Sequence, residues 1–228
     1  MEYQRNGDGQ MILFIYGASG AAVEIYDLAE RVNVLSHRYS KIYLIDDFEE
    51  ETQYYGTDRV HFSSCEQIAK EAFEFIIAVG EPSARDLLLK RIEEKGYQLA
   101  TLIDPSAMIS PTAKIAAGCI VNAQSIVSSN VIMEKNCFLG FHVVVGHDAH
   151  LKKNSVVCPM ATVGGGSIVG ENTFIGLNTS MRERTNLGDN VIVGMGSMVF
   201  RSVEDGCTVL GNPARVTKGN DEHKVFRN

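Results

Sequence analysis

From Ile109 to Val199 every sixth residue is aliphatic or methionine, a column that runs through Val121, Leu139, Val145, Val157, Ile175 and Val193 without a break. Two residues earlier lies a second column, from Ala107 and Ala113 to Val191 and Ser197, that holds nothing larger than valine. Glycine recurs directly after the aliphatic residue at 140, 146, 164, 170, 176, 188 and 194, where the pattern predicts turns that need positive φ. A period of six matches neither an amphipathic helix nor an uninterrupted strand. It matches a solenoid of very short strands joined by corners. With three segments to a triangular coil, the array makes about five coils, each rising ~4.8 Å. Large and small columns then point inward. Backbone groups pair with the coils above and below, so unpaired edges remain only at the two ends.

The first hundred residues follow another rhythm. Residues 11–16 form a continuous apolar strand, 21–31 a helix, and 41–45 a strand that ends in Asp46 and Asp47. Ser63-x-x-Glu66 and Ser64-x-x-Gln67 are capping boxes for a short helix ending near Ala72. Residues 73–79 read as a third strand, 82–95 as a helix with Pro in its first turn and Gly96 beyond its end, and 97–103 as a fourth strand. This is a small parallel β-α-β domain whose strand ends are available to a ligand. The glycine loop Gly17-Ala18-Ser19-Gly20-Ala21-Ala22 follows the first strand and opens the first helix, offering backbone N–H groups and a helix dipole to a phosphate. It keeps one of the three glycines of a dinucleotide fingerprint. A structural tight turn and a nucleotide-linked ligand are both compatible with it.

The chain has 228 residues, 45% of them hydrophobic, with a formal charge of −7. That charge, with no basic stretch, argues against nucleic acid as a partner. The five cysteines contain no C-x-x-C pair, and Cys119 and Cys137 fall in the small inward column one coil apart, which assigns them to packing. No run has the ~18 apolar residues of a transmembrane helix and no signal-peptide pattern opens the chain, so the expected setting is cytoplasmic.

His147 and Asp148 follow the inward Val145 by two and three residues, so both side chains leave the core. A His in such a place supplies a base near neutral pH, and a carboxylate on its other ring nitrogen fixes the tautomer. Gly165 comes one coil after His147 and stacks beside it without a side chain, within the run Gly164-Gly165-Gly166. That run either leaves room for a ligand and a backbone N–H for a developing negative charge or simply makes a corner.

Taken together, Tyr16-Gly17-Ala18-Ser19-Gly20, Ile45-Asp46-Asp47-Phe48, Ile77-Ala78-Val79-Gly80 with Arg85, His147-Asp148 and Gly211-Asn212-Pro213-Ala214-Arg215 resemble one enzyme family. These are the sugar acetyltransferases that join a Rossmann-like, nucleotide-sugar-binding domain to a hexapeptide-repeat, left-handed parallel β-helix. The bacillosamine-pathway and perosamine N-acetyltransferases belong here, with their sialic-acid O-acetyltransferase relatives. The resemblance covers residues 11–218 and supplies the handedness, since the general rule for parallel crossovers gives the right-handed form. It implies a flexible stretch at 1–10, a nucleotide-sugar domain at 11–104, the β-helix at 105–218 and a tail at 219–228. It also implies acetyl-CoA as cosubstrate, a nucleotide-linked amino sugar as acceptor, a homotrimer, His147 as base and Asp148 as its partner. Ser19, Gly20, Ala21, Asp46, Asp47, Phe48 and Gly80 become acceptor-binding candidates. Val156, Gly165, Leu177 and Met195 become coenzyme candidates, with Arg215 and Lys218 as possible partners of its phosphates. Ala21 and Val156 stand where the family often has histidines.

Three rival readings differ in kind. A sugar O-acetyltransferase would use the same base. A non-catalytic nucleotide-sugar binder would keep the first domain and lose turnover, against which the intact His147-Asp148 argues. A zinc-dependent β-helix enzyme would exploit the H-x-x-x-x-H spacing of His142 and His147, but zinc needs three protein ligands and no His lies between His61 and His142. No metal is therefore expected.

Overall fold

A computed structural model describes residues 10–49 and 51–226. The stretch expected to be flexible, 1–10, lies outside the described residues apart from Gln10. The first domain contains β1 (Met11–Tyr16), α1 (Gly20–Ser36), β2 (Tyr39–Ile45), β3 (Gln53–Tyr54), β4 (Thr57–Val60), β5 (Phe73–Ile77) and α2 (Pro82–Glu94). Its sheet runs β3-β4-β2-β1-β5 and is parallel except for the β3–β4 hairpin. β1 is central and covered on both faces, which is why it reads as an unbroken apolar run. Leu13 and Ile15 pack with Ile25 and Leu28 of α1 on one face, while Phe14, Phe62, Phe73, Phe75 and Tyr97 pack on the other.

Four local expectations change. α1 runs five residues beyond Arg31, to Ser36, and stops at His37 in the left-handed region. The capping-box helix is two 3-10 turns, Phe62–Gln67 and Lys70–Ala72, with Ser63 and Ser64 inside the first rather than capping it. The β3–β4 hairpin was not anticipated; Tyr55 and Gly56 both take positive φ, as its tight turn requires. The expected fourth strand, 97–103, divides. Leu99 makes only a single bridge to Phe75, and Leu102–Ile103 (β6) pairs with Ile120–Val121. Ile103 lies six residues before Ile109, so the solenoid's own column captures this segment.

The solenoid is three parallel sheets of two-residue strands in an 18-residue register, as in Ile126↔Val144 and Val144↔Thr162. Both inward columns are buried from Cys119 to Val199. The hydroxyls in the small column repeat one hydrogen bond. Ser125 Oγ donates to the Gly140 carbonyl (2.8 Å), Ser167 Oγ to that of Arg182 (3.1 Å), and Thr173 Oγ1 to that of Gly188 (2.7 Å). In return Val143, Thr185 and Val191 each donate a backbone N–H to those oxygens at 3.1 Å. Small polar residues are thus tolerated in a dry core because each is satisfied. Cys119 and Cys137 take the same step, donating to the carbonyls of Glu134 (3.1 Å) and Lys152 (3.2 Å).

The recurrent glycines answer a different need from the one expected. Positive φ falls two residues later in the repeat, at Asn130, Asn136, His142, Asp148, Asn154, Asn178 and their equivalents, where Asn and Asp are the best tolerated side chains. The glycines at 140 and 176 instead face the next coil at close range. A Cβ at Gly140 would stand 2.6 Å from the Pro159 nitrogen, and one at Gly176 2.6 Å from that of Met195.

The first domain sits on the sheet that begins with β6 and continues through Ile120–Val121, Phe138–Leu139, Val156–Val157 and Phe174–Ile175. Its bolt is Arg85, fully buried and touched by no carboxylate among the described residues. The guanidinium donates to the carbonyls of Ile77 (2.8 Å) and Val79 (3.0 Å) and to Asn136 O (2.8 Å) and Oδ1 (2.6 Å). Asn136 continues to Asn154 (2.6 Å), and Asn154 to Asp86 (2.8 Å). Burial pushes the Arg85 pKa down to about 10. The same donors that fasten the domain also fix the backbone leading to Gly80. Among the described residues no helix is long and apolar enough to cross a membrane.

Gly176→Ala is expected to cost about 1–3 kcal/mol in urea unfolding, because the coil spacing has no room for a methyl group. Asn178→Gly, at a left-handed position, is expected to cost less than about 1 kcal/mol. The opposite ranking would return the glycines to a conformational role.

Candidate functional site

At the His147 corner the chain turns from the inward Val145, through Gly146 packed flat against Gly165, to two outward residues. Asp148 occupies the left-handed position, with φ 58°, and this turn folds its carboxylate back toward the preceding ring. His147 Nδ1 lies 2.8 Å from Asp148 Oδ2, and Asn130 Nδ2, one coil below, donates to Oδ1 at 3.0 Å. The hydrogen bond with His147, joined by that of Asn130, holds the Asp148 carboxyl below the usual carboxylate range. An ionised acceptor on Nδ1 assigns the proton to that nitrogen and leaves the Nε2 lone pair free.

Gly165 covers the ring from the next coil, and a Cβ there would be 2.9 Å from Nε2. In the glycine run, Gly164 donates to the Met181 carbonyl (3.0 Å) and Gly166 to that of His147 (2.7 Å). The Gly165 N–H has no acceptor among the described residues. A base and an unused donor are therefore adjacent. Both members of the pair are open to solvent, His147 at 72% and Asp148 at 57% of side-chain area.

The second group of candidates surrounds the carboxyl ends of β1, β2 and β5. Gly17 has φ 128°, and a Cβ on it would meet the Ala78 carbonyl oxygen at 3.0 Å, so glycine is required both by conformation and by closeness. Ser19 caps α1 without using its side chain, and Gly20 and Ala21 are exposed at the helix start. The paired acids separate. Asp46 accepts the Phe48 N–H at 2.9 Å and stands 3.9 Å from Arg59, a buried guanidinium stacked over Tyr54. Asp47 turns the other way and accepts from the Phe62 N–H (2.8 Å), Tyr16 OH (2.8 Å) and Arg91. Burial alone would raise the Asp47 carboxyl, but these three donors together hold it below its ordinary value. Its oxygens are occupied within the domain. Phe48 is 95% exposed and borders a cleft of about 400 Å³ with Leu87, Leu88 and Arg91.

The candidates do not meet within one chain. His147, Asp148 and Gly165 stand on the corner opposite the domain-bearing sheet, between the other two sheets. Leu177 and Met195 are exposed on a different corner, in one 18-residue stack with Phe141 and Pro159 that borders the domain-bearing sheet. Val156 is 1% exposed on that sheet, between Phe138 and Phe174. Arg215 and Lys218 are exposed on the last strand, Arg215–Gly219, far along the same sheet. Among the described residues no group of three or more His, Cys, Asp or Glu is placed to hold a metal ion. Sequence reasoning missed Asn130, although its place 18 residues before Asp148 marks it, and Arg59, which carries no motif.

Residues 12–92 match the family model of the PglD N-terminal domain, and residues 166–201 that of the hexapeptide repeat of succinyl-transferase. Among solved structures, the acetyltransferase domain of PglB from Neisseria gonorrhoeae matches 91% of this chain and 100% of its own, with 27% identity and a TM-score of 0.85. This chain belongs to the hexapeptide-repeat acyltransferases with a PglD-type N-terminal domain. Its solenoid is accordingly the left-handed parallel β-helix of that family. WeeI from Acinetobacter baumannii shares the acyltransferase's fold at 24% identity, with a TM-score of 0.84 over 91% of this chain and all of its own. So does a variant of perosamine N-acetyltransferase from Caulobacter crescentus, at 22% identity and 0.83 over 90% of this chain and 96% of its own. No curated protein sequence matches the acyltransferase.

The clamp at Asp47 makes a pH prediction. A carboxyl whose folded pKa is depressed contributes stability that is present above its unfolded pKa and lost as pH falls through the folded value. Asp47→Asn should therefore lower the urea midpoint at pH 7 and shrink the loss seen between pH 5 and acid. Parallel wild-type and variant curves across that range would remove the assignment.

Proposed function

We propose that this acyltransferase moves the acetyl group of acetyl-CoA to the amine of a nucleotide-linked sugar, with His147 as general base. The observation that carries the reading is the His147 Nδ1–Asp148 bond of 2.8 Å, which leaves Nε2 facing outward beneath a side-chain-free Gly165. The relatives support the substrates. The Neisseria domain has been solved with acetyl coenzyme A, and the Caulobacter enzyme with CoA and GDP-perosamine.

In this reading the first domain holds the nucleotide sugar through the glycine loop, the start of α1, Asp46 and Gly80. The neutral amine attacks the thioester carbonyl and forms the C–N bond. The developing oxyanion is met by the Gly165 N–H. His147 takes the proton from the amine nitrogen, Asp148 stabilises the imidazolium, and the C–S bond breaks. The proton passes to the departing thiolate, giving the amide and free CoA. No hydroxyl or thiol is hydrogen-bonded to Nε2 among the described residues, which favours direct transfer over an acyl-enzyme.

The opposed placement of base and acceptor domain supports a homotrimer in which each site closes between two chains. The His147 corner of one chain would face the Leu177–Met195 corner and the first domain of the next. Coenzyme A and a nucleotide sugar as substrates fit a cytoplasmic setting.

Thiol release from acetyl-CoA against UDP-, GDP- and dTDP-linked 4-amino sugars, with free sialic acid as the hydroxyl acceptor, tests the reaction. His147→Ala should lower kcat by about 10²–10⁴-fold, and Asp148→Asn should lower it less. Turnover with sialic acid alone would replace the N-acetyl reading by the O-acetyl one.

The shared site is tested by mixing two inactive variants, His147→Ala and a chain carrying Asp46→Ala with Gly20→Asp. Co-refolded oligomers should regain part of the wild-type rate, because some sites then combine an intact base with an intact acceptor domain. No recovery from verified mixed oligomers would place both parts of the site in one chain.

A further inference from the structure

The last described residues cross from the solenoid back to the first domain. Asn220 is buried, donates its N–H to the Gly206 carbonyl (2.6 Å) and its Nδ2 to that of Asn190 (2.9 Å), and accepts the Lys224 N–H on Oδ1 (3.2 Å). From this anchor the chain reaches Glu81, directly after Gly80. Glu81 Oε2 accepts two backbone N–H groups, from Val225 (2.9 Å) and Phe226 (3.0 Å), while Oε1 accepts from Ser83 Oγ (3.3 Å). Among the described residues no cation pairs with this carboxylate. The Phe226 ring packs edge-on against Phe174, with centroids 5.7 Å apart, and stands over Gly80, where a Cβ would meet it at 3.8 Å. Yet Phe226 remains 59% exposed.

This is a lightly held closure placed over the mouth of the acceptor cleft. A residue that stays mostly exposed gains little from burial, so what holds it is the pair of charge-assisted hydrogen bonds on one oxygen. The entropy cost of ordering residues 221–226 opposes them. Glu81 is otherwise suited to a donor-rich ligand: an unpaired carboxylate at the strand end beside Gly80 would attract the ammonium or hydroxyl groups of an amino sugar. It is not needed as a helix cap, since its side chain makes no capping bond to α2.

Resting on the acceptor reading above, the geometry points to Glu81 as a binding residue for the sugar's donor groups, with the strap of residues 221–226 as a displaceable occupant of the same oxygen. Strap and acceptor are mutually exclusive. The strap therefore sets the apparent affinity for the acceptor without touching the coenzyme or the base. A strap closed about nine-tenths of the time weakens apparent acceptor binding about tenfold.

The chain contains no Trp, so Phe226→Trp introduces a single tryptophan at the closure, excited selectively beyond the tyrosine band. Adding Glu81→Ala should shift its emission to the red and raise acrylamide quenching; unchanged emission would overturn the docking, whatever the enzyme's reaction. With Glu81 intact, a UDP-, GDP- or dTDP-linked amino sugar that calorimetry shows to bind should release the fluorophore, and binding without release would overturn the competition. Kinetics then separate strap from binding residue. Truncation after Glu222 should lower the acceptor KM about tenfold at constant acetyl-CoA KM, whereas Glu81→Ala, which also frees the strap, should raise it. Movement of both in the same direction would sink the proposal. If none of the nucleotide sugars binds either form, the acceptor reading fails, while the emission shift still decides the docking.

Discussion

The backbone ladder between coils governs everything else in this molecule. Backbone N–H groups along the solenoid's strands reach carbonyls one coil away, as from Val144 to Ala161 and from Gly146 to Val163. This ladder stacks residues 18 apart directly over one another. The glycines at 140 and 176 keep the spacing, the buried Ser and Thr hydroxyls close it from inside, and the left-handed Asn and Asp residues turn its corners. The same stacking that satisfies the backbone delivers Asn130, Asp148, His147 and Gly165 to one edge. Chemistry at that corner is a by-product of a structural register.

The parts of the fold that repeat were legible, because a repeated constraint is stated many times in the sequence. Val145 and Val163 share one environment, so each confirms the other. The role of the glycines was misread because a sequence shows which residue recurs but not whether torsion or proximity demands it. The segment 97–103 was assigned to the wrong sheet for a related reason. An apolar stretch suits either layer, and only the column through Ile103 decides. The hairpin at Tyr55 and Gly56 occurs once and has no repeat to expose it.

At the candidate site the legibility was similarly uneven. His147 and Asp148 were found because the register sends both side chains out of the core and the adjacent His-Asp pair matches a family motif. Asp46 and Asp47 look equivalent in sequence, yet alternation along the chain sends them to opposite faces, and only Asp47 meets Tyr16, Arg91 and Phe62. Glu81 gave no signal. Its significance comes from residues 144 and 145 positions later in the chain, a separation that no local pattern encodes. The electrostatics of the domain junction were equally hidden. A fully buried arginine with carbonyl partners is stable only where several oxygens converge, and here they come from both layers.

Because the first domain and the base are both fixed to the 18-residue register, the height between acceptor and catalyst comes in whole coils. Inserting 18 residues between Asn136 and His147 would return the histidine to the same corner, displaced along the axis by one strand spacing of ~4.8 Å. A sugar nucleotide is longer than that by only a few such steps. The solenoid thus works as a graduated ruler, on which evolution can match substrates of different length by counting coils while leaving the corner itself unchanged.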